Sequence, residues 1–321
     1  MALVLTDVEQ RDIDEARAFN AQLEALIATQ PLVTTLPASV TRKARREGKG
    51  IFPAPVFLEE ARDIEVPGRG GAINVRVIRP DKAPTGIYLH IHGGGWTLGA
   101  HDMQDAALKW FANETSLCMA SIDYRLAPEN PYPAAPDDCE DAVLHLLEHG
   151  PSLLGAPARF AIGGESAGGH LSVVTLLRLR DRHGFKNKIS AANLVFGAYD
   201  LNCTPSMVLW GDRNLVLSLP IVRWFTGNFL PGFSFEQRRD PDISPLYARL
   251  HDMPRALFTV GTLDPLLDDT LFMSERWMSA GNQAELAVYP EAVHGFNAYP
   301  IGVARAANAN QARFLREALA P

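Results

Sequence analysis

The sequence predicts an α/β protein whose β-sheet is mostly parallel and carries helices on both faces. Six short apolar runs, each of the length of a buried strand, alternate with stretches of helical periodicity. The runs cover residues 87–91, 119–122, 160–162, 194–196, 256–260 and 286–289, and the helical stretches cover residues 137–148, 168–181, 269–279 and 304–319. Residues 72–79, which precede them, alternate apolar and polar side chains as a half-buried strand does.

The first thirty residues are predicted to form an amphipathic helix that packs against the rest of the protein. Thr6 and Glu9 have the spacing of a capping box at its start. Its apolar residues recur at helical spacing and are Ile13, Ala16, Phe19, Leu23 and Leu26. Residues 35–55 are basic at first, contain two prolines near their end and show no clear period, so we interpret them as a mobile element or a linker.

The segment between Asp200 and Leu246 is longer than a connection between strands usually requires. It is rich in aromatic residues and prolines, namely Pro205, Trp210, Trp224, Phe225, Phe229, Pro231, Phe233 and Phe235. The sequence is consistent with two interpretations. The segment is either a cap over a functional site or a helical excursion with a small core of its own.

The composition argues against several classes of protein. The 321-residue chain carries a formal charge of −7, which gives no electrostatic footprint for nucleic acid, and its one basic run, residues 42–46, is expected to be a solvated helix face. Three cysteines, Cys118, Cys139 and Cys203, lack the paired spacings of zinc ligands and are too few for a disulfide framework. Because we find neither a signal peptide nor an apolar run of membrane-spanning length, we expect a cytoplasmic protein without a membrane span.

A candidate nucleophile lies in the sequence Gly164-Glu165-Ser166-Ala167-Gly168. The Gly-x-Ser-x-Gly pattern is weak evidence alone, because a chain of this length contains it by chance about one time in ten. Here it directly follows an apolar run and precedes a helical stretch, which is the setting of a nucleophile elbow. The glycines suit a turn that is too sharp for larger side chains. Ser166 is therefore the predicted nucleophile.

A serine hydroxyl needs a base to accept its proton, and the base needs a third group to orient it. Asp264 and His294 each closely follow an apolar run. Both therefore belong at the carboxyl edge of a parallel sheet, beside Ser166. Asp268 and Asp269 are left as alternative carboxylates, and an ordinary surface position is the alternative for His294.

The glycine run His92-Gly93-Gly94-Gly95-Trp96 directly follows the first of the six apolar runs. Glycines allow a backbone to turn its amides toward a negative charge, as in an oxyanion hole. We predict that the amides of Gly94, Gly95 and Ala167 stabilise the oxyanion. The alternative, a phosphate-binding loop, lacks both the Lys-Ser/Thr ending and the Gly-x-Gly-x-x-Gly spacing. The remaining residues expected to support the site are His92, Gly93, Gly164, Glu165 and Gly168.

Residues 145–149 match the His-x-x-Glu-His pattern of one metalloprotease class. Gly150 and Pro151 follow directly and are expected to end the helix, so that His149 lies in its last turn. Histidine is favoured there by the helix dipole. We therefore interpret the pattern as an ordinary helix end and predict no metal site.

These motifs resemble those of the hormone-sensitive-lipase-like branch of the α/β-hydrolases, which includes many bacterial carboxylesterases. The resemblance spans nearly the whole chain and rests on residues 92–96, 123–129, 132–138, 164–169, 264–266 and 294–296. The order Ser166, Asp264, His294 is also that of α/β-hydrolases. Two positions depart from the family: Glu165 stands where Asp or Thr is more frequent, and His170 stands where Asn is more frequent.

The resemblance implies the α/β-hydrolase fold, in which an eight-stranded, mostly parallel, twisted sheet with helices on both faces is joined by a helical cap. The implied cap comprises residues 1–50 and 203–243, and the implied catalytic domain comprises residues 51–202 and 244–321. The family also gives a structural role to the segment that contains Arg125 and Glu129.

The activity that the resemblance implies is hydrolysis of small carboxylic esters with short to medium acyl chains, through an acyl-enzyme and without a cofactor. An amide or peptide hydrolase is the first alternative, because the triad does not select the leaving group. A non-catalytic receptor on the same scaffold is the second, and plant gibberellin receptors of this type lack the histidine that His294 supplies here. The sequence does not distinguish a monomer from a homodimer.

Overall fold

The computed structural model describes residues 4–320, and within this range eight strands form one sheet. The strands are Arg62–Val66 (β1), Ile73–Ile78 (β2), Gly86–Ile91 (β3), Leu117–Ile122 (β4), Phe160–Glu165 (β5), Ala191–Val195 (β6), Arg255–Leu263 (β7) and Ala284–Val293 (β8). Their order across the sheet is β1-β2-β4-β3-β5-β6-β7-β8. β2 runs antiparallel to both of its neighbours, and every neighbouring pair from β4 to β8 is parallel. The predicted eight-stranded, mostly parallel sheet is thus confirmed.

Nine α-helices in the described part of the chain accompany the sheet. They are Gln10–Ala28 (α1), Ala38–Arg46 (α2), Asp105–Thr115 (α3), Ala134–Leu154 (α4), Ala167–His183 (α5), Pro205–Trp210 (α6), Leu219–Phe229 (α7), Leu267–Ser279 (α8) and Gly302–Ala318 (α9). Apolar side chains of α4, α5 and α8 join one core cluster with the sheet, and those of α1, α3 and α9 join a second. Both faces are therefore covered, as predicted, and β3 and β4 can be buried along their whole length.

The strands predicted from the sequence coincide with strands of the structure. Each of the six apolar runs lies largely within a strand, and the alternating segment 72–79 contains β2. Apart from α2, which is described below, β1 and α3 have no clear signal in the sequence. β1 is mostly exposed at the edge of the sheet and so has no apolar run, and α3 buries only four of its eleven residues, namely Asp105, Leu108, Ala112 and Thr115. Weak amphipathicity of this kind is below what periodicity alone detects.

The N-terminal helix begins later than the capping box predicts. α1 starts at Gln10, its N-cap residue is Glu9, and no side chain caps it. Thr6 lies outside the helix, where its amide donates to the carbonyl oxygen of Val288 on the edge strand β8, at 2.8 Å. Because this bond ties Thr6 to the sheet, the predicted capping box is wrong.

Residues 35–55 are not a structureless linker, because they contain α2. Arg42 on α2 donates to the carbonyl oxygens of Thr97, at 2.7 Å, and Ala127, at 2.6 Å. Arg46 forms a salt bridge with Asp102. The prediction of a solvated basic face is therefore wrong for Arg42, whereas the side chain of Arg46 stays 54% exposed. Their partners are more than 50 residues away in the chain, where local patterns cannot indicate them.

The helix that carries residues 145–149 is longer than predicted. α4 continues through Gly150 and Pro151 and ends at Leu154, and its C-cap residue Gly155 has a left-handed φ of 59°. A proline this close to the end removes only one amide, and the left-handed glycine supplies the stop. Within residues 4–320, no cluster of three or more His, Cys, Asp or Glu is placed to hold a metal ion. No helix in the same range is both long enough and apolar enough to cross a membrane.

The aromatic-rich insertion contains α6 and α7 and packs onto the rest of the protein. Phe225 and Phe229 on α7 belong to the same core cluster as α4 and α5. Phe229 stacks on Trp96 with ring centroids 4.8 Å apart, and its carbonyl oxygen accepts from the amide of Tyr132 at 2.9 Å. The insertion thus completes a larger core, so the interpretation of a segment with a small core of its own is wrong.

Candidate active site

Ser166 lies at the turn between β5 and α5. Its φ of 56° and ψ of −117° fall outside the usual regions for an L-amino acid. The flanking glycines are explained by one close contact, because a Cβ on Gly164 or on Gly168 would overlap the carbonyl oxygen of Ile91 on β3. The amide of Ser166 donates to the carbonyl oxygen of Val195 on β6, at 2.9 Å. The turn therefore holds Ser166 at the carboxyl ends of three parallel strands.

Ser166, His294 and Asp264 form one hydrogen-bonded chain. Oγ of Ser166 lies 3.0 Å from Nε2 of His294, and Nδ1 of His294 lies 2.9 Å from Oδ2 of Asp264. The amide of Leu266 donates to Oδ1 of Asp264 at 2.9 Å, which fixes the orientation of this buried carboxylate. With a neutral imidazole, Nδ1–H donates to the carboxylate and Nε2 accepts from the serine hydroxyl.

The two alternative carboxylates bind other groups. Asp269 is buried and accepts three hydrogen bonds from residues 199–204, and burial raises its pKa to about 7. Asp268 accepts from the amide of Ser206 at 2.7 Å. Both therefore hold the start of the insertion, whereas Asp264 is the carboxylate that the structure places beside the histidine.

The glycine run after β3 forms a tight loop beside this turn. Gly94 and Gly95 have φ values of 119° and 59°, which glycine adopts readily and other residues rarely do. The amides of Thr97 and Leu98 donate to the carbonyl oxygen of Gly94 and close the loop. The amides of Gly94, Gly95 and Ala167 donate to no protein acceptor within residues 4–320. Free amides of this kind suit a developing negative charge.

His92 and Gly93 connect β3 to this loop, which we define as residues 92–99 and call the oxyanion loop after the role that the sequence predicts for it. A Cβ on Gly93 would lie 2.8 Å from the carbonyl oxygen of Glu165, so the loop passes close to the serine turn. Nδ1 of His92 lies 2.8 Å from the carbonyl oxygen of Gly93, and the ring of Tyr124 stacks on the imidazole. Burial lowers the pKa of His92 to about 4. His92 therefore supports the loop as a neutral group at pH 7.

Glu165, which departs from the family pattern, has a partner in the neighbouring strand. Its Oε2 lies 3.2 Å from Nε2 of His90, and Nδ1 of His90 lies 2.9 Å from Oγ of Ser121. Burial raises the pKa of Glu165, but His90 and a hydrogen bond from Gln104 outweigh that effect, and the pKa lies below its ordinary value. His90 has no signal in the sequence, because a single histidine inside an apolar run has no characteristic spacing.

Three further residues lie against the site and were not assigned a role from the sequence. Phe225 packs on Gly95, where a Cβ would overlap its ring. The ring of Phe196 stands edge-on to His294, with ring centroids 4.8 Å apart. Arg42 holds a carbonyl oxygen of the oxyanion loop, as described above. Each is distant in the chain from its partner, so spacing could not reveal these contacts.

Comparison with known proteins identifies the class. The sequence profile described as alpha/beta hydrolase fold matches residues 88–298. The chain is 34% identical over 267 residues to the carboxylic ester hydrolase LipN of Mycobacterium tuberculosis, an alignment that covers 81% of this chain and 70% of LipN. It is 33% identical over 296 residues to the carboxylesterase NlhH of the same organism, with 89% of this chain and 91% of NlhH covered.

A solved structure agrees with this placement. A hormone-sensitive lipase from a metagenome library superposes with a TM-score of 0.81 at 27% identity, covering 95% of this chain and 98% of that chain. The chain therefore belongs to the α/β-hydrolase family. The resemblance to the hormone-sensitive-lipase-like branch, the predicted fold and the predicted class, an α/β-hydrolase enzyme, are confirmed.

The contact at Gly168 can be tested with one methyl group. Gly168→Ala places a Cβ against the carbonyl oxygen of Ile91, so we expect it to lower the free energy of unfolding by about 1–3 kcal/mol. Gly227→Ala on α7 is the matched control, because a Cβ there meets open space and alanine should stabilise the helix by up to about 1 kcal/mol. Urea unfolding measures both changes, and wild-type stability of Gly168→Ala would contradict the contact.

Proposed function

We propose that the protein hydrolyses carboxylic esters by acyl transfer to Ser166, with His294 as the general base and Asp264 as the group that orients it. The observation that carries this proposal is the hydrogen-bonded chain from the serine hydroxyl through both nitrogens of His294 to a buried carboxylate. The relatives named as carboxylic ester hydrolases support the choice of an ester as substrate.

In the first half of the reaction, Nε2 of His294 takes the hydroxyl proton while Oγ of Ser166 attacks the carbonyl carbon of the ester. The electrons of the carbonyl π bond become an oxyanion, which the amides of Gly94, Gly95 and Ala167 stabilise. The tetrahedral intermediate then collapses. The bond to the alcohol oxygen breaks, that oxygen receives the proton from the imidazolium, and an acyl-enzyme remains.

In the second half, water replaces the alcohol. His294 accepts a proton from the water as its oxygen attacks the acyl carbon, and the oxyanion returns to the same three amides. When this intermediate collapses, the bond to Oγ of Ser166 breaks, and Oγ takes the proton back from the imidazolium. Asp264 keeps Nδ1–H in place in both halves and stabilises each imidazolium by its charge.

The proposed cap comprises residues 1–50 and 203–243, and the proposed catalytic domain comprises residues 51–202 and 244–321. Contacts from both cap segments to the oxyanion loop support this division. Arg42 from the first segment binds the carbonyl oxygen of Thr97, and Phe225 from the second packs on Gly95. An aromatic ring beside an oxyanion donor limits the room around the reacting carbonyl. This contact supports a preference for short to medium acyl chains.

The triad is tested by three substitutions assayed on p-nitrophenyl butyrate. Ser166→Ala is expected to lower kcat by at least about 10³, because the nucleophile is lost. Asp264→Asn is expected to lower kcat by about 10³ to 10⁴, because the histidine loses the carboxylate that orients it. Asp268→Asn is the matched control from the same turn and should cost less than about tenfold, because its carboxylate binds the amide of Ser206 instead.

Circular dichroism and thermal unfolding show whether each of these variants is folded. Near wild-type turnover by folded Ser166→Ala would contradict the nucleophile. A larger loss for Asp268→Asn than for Asp264→Asn would reassign the carboxylate.

The acyl preference is tested with p-nitrophenyl esters from acetate to palmitate. We expect kcat/KM to be highest for acyl chains of about two to six carbons, because the cap limits the room beside the oxyanion loop. Phe225→Ala should move the optimum to longer chains, whereas Phe235→Ala, an exposed aromatic in the same insertion, should leave it unchanged. A higher kcat/KM for palmitate than for butyrate in the wild-type protein would contradict the proposed preference.

A further inference from the structure

The helix that follows Ser166 contains a buried histidine that the catalytic steps above do not use. His170 lies one turn after Ser166 on α5, and its side chain is fully buried. Nδ1 of His170 lies 3.0 Å from Nε1 of Trp96, and Nε2 lies 2.8 Å from the carbonyl oxygen of Ile243. The two partners are 74 residues before and 73 residues after His170 in the chain. His170 therefore joins two distant segments to the helix of the nucleophile.

The chemistry of the two partners defines the protonation of His170. The indole N–H of Trp96 is only a donor, and the carbonyl oxygen of Ile243 is only an acceptor. Nδ1 must therefore accept, and Nε2 must carry the proton. Burial lowers the pKa of His170 to about 4, so this neutral form is the one present at pH 7. Both hydrogen bonds are satisfied only by the neutral ring.

One side of this bridge holds the oxyanion loop. Trp96 directly follows the donor Gly95, and its φ of 57° is a conformation that a bulky residue keeps only when its surroundings enforce it. His170 binds the indole N–H, and Phe229 stacks on the indole face. Because His170 fixes the edge of the indole and Phe229 fixes its face, the backbone at the adjacent residue Gly95 is fixed as well.

The other side of the bridge is anchored to the same helix. Asp242, directly before Ile243, accepts two hydrogen bonds from Arg178, at 2.7 and 2.6 Å. Arg178 lies on α5 and its side chain is buried. The carbonyl oxygen that binds His170 is therefore fixed to the helix whose first residue is Ala167.

We propose that His170 is a positioning residue that sets the distance between the two halves of the oxyanion hole. One half is the amide of Ala167 at the start of α5, and the other is the pair of amides at Gly94 and Gly95. His170 joins them because it is part of α5 and holds the oxyanion loop through Trp96. This role rests on the proposed function, in which these amides stabilise the oxyanion.

Two substitutions break the bridge from its two sides. His170→Phe keeps an aromatic ring without nitrogens, and Trp96→Phe keeps an aromatic ring without an N–H. Each is expected to lower kcat on p-nitrophenyl butyrate about 10- to 100-fold, somewhat less than the ~10² to 10³ typical of losing one oxyanion donor. KM should stay within about threefold, because the oxyanion exists only in the transition state and the intermediates. The double variant should be within about twofold of the slower single variant, because both changes remove the same bond.

A transition-state analogue separates positioning from general structural support. A trifluoromethyl ketone forms a tetrahedral adduct with the serine, and its inhibition constant should rise about 10- to 100-fold in both variants, in parallel with the loss of kcat/KM. His170→Gln keeps one acceptor and one donor, so its kcat should exceed that of His170→Phe. Thr175→Val changes another fully buried side chain on α5 and is the matched control, with kcat expected within about twofold of wild type.

Wild-type kcat, within about twofold, in folded Trp96→Phe and His170→Phe would overturn the inference, as would an unchanged inhibition constant accompanied by a raised KM. If His170→Phe does not fold, Trp96→Phe decides by the same criteria, and the kcat of His170→Gln should exceed that of Trp96→Phe. Failure of the proposed function is distinguishable, because it appears as turnover by Ser166→Ala. Failure of the inference alone leaves Ser166→Ala inactive and the bridge variants fully active.

Discussion

The geometry of the site depends on the close packing of the serine turn against the carbonyl oxygen of Ile91, at the end of β3. A Cβ on Gly164 or on Gly168 would overlap this oxygen, so both sides of the serine turn pack directly against it. Because the turn lies against the end of β3, the glycine loop that leaves β3 begins beside Ser166. Glycine is therefore required at both positions of the turn, because a Cβ would not fit against this oxygen. The same close packing brings the free amide of Ala167 near the amides of the loop.

The buried histidines that support the oxyanion loop add no charge next to Ser166. His92 and His170 are buried, and because burial lowers the pKa of each to about 4, both are neutral at pH 7. Glu165, the carboxylate directly before the serine, is paired with His90. The amides of the oxyanion loop therefore face no fixed side-chain charge from the histidines that support it. In such surroundings, fixed backbone dipoles stabilise a new negative charge more strongly than they would in water.

Sequence patterns predicted the parts of the structure that depend on contiguous residues. The central strands, the serine turn, the glycine loop and the residues of the hydrogen-bonded chain each belong to a short run with its own composition. Contacts between distant segments give no such signal: Arg42 reaches the loop from a helix without an apolar stripe, so the sequence indicates only a mobile element or a linker there. Phe225 was one aromatic among many, and His170 appeared only as a departure from the family pattern. The fold brings each of these residues to a partner that is distant in the chain, and no local spacing in the sequence indicates such a contact.

The whole mechanism depends on Ser166 being the residue that is acylated. The most direct test is peptide mass spectrometry of the wild-type protein after partial inactivation with a p-nitrophenyl alkylphosphonate, which leaves a stable adduct on a reactive serine. We expect one adduct per chain, on the peptide that contains Ser166, in a fraction equal to the fraction of activity lost. An adduct on another residue that accounts for the lost activity, or full activity with Ser166 modified, would contradict the mechanism.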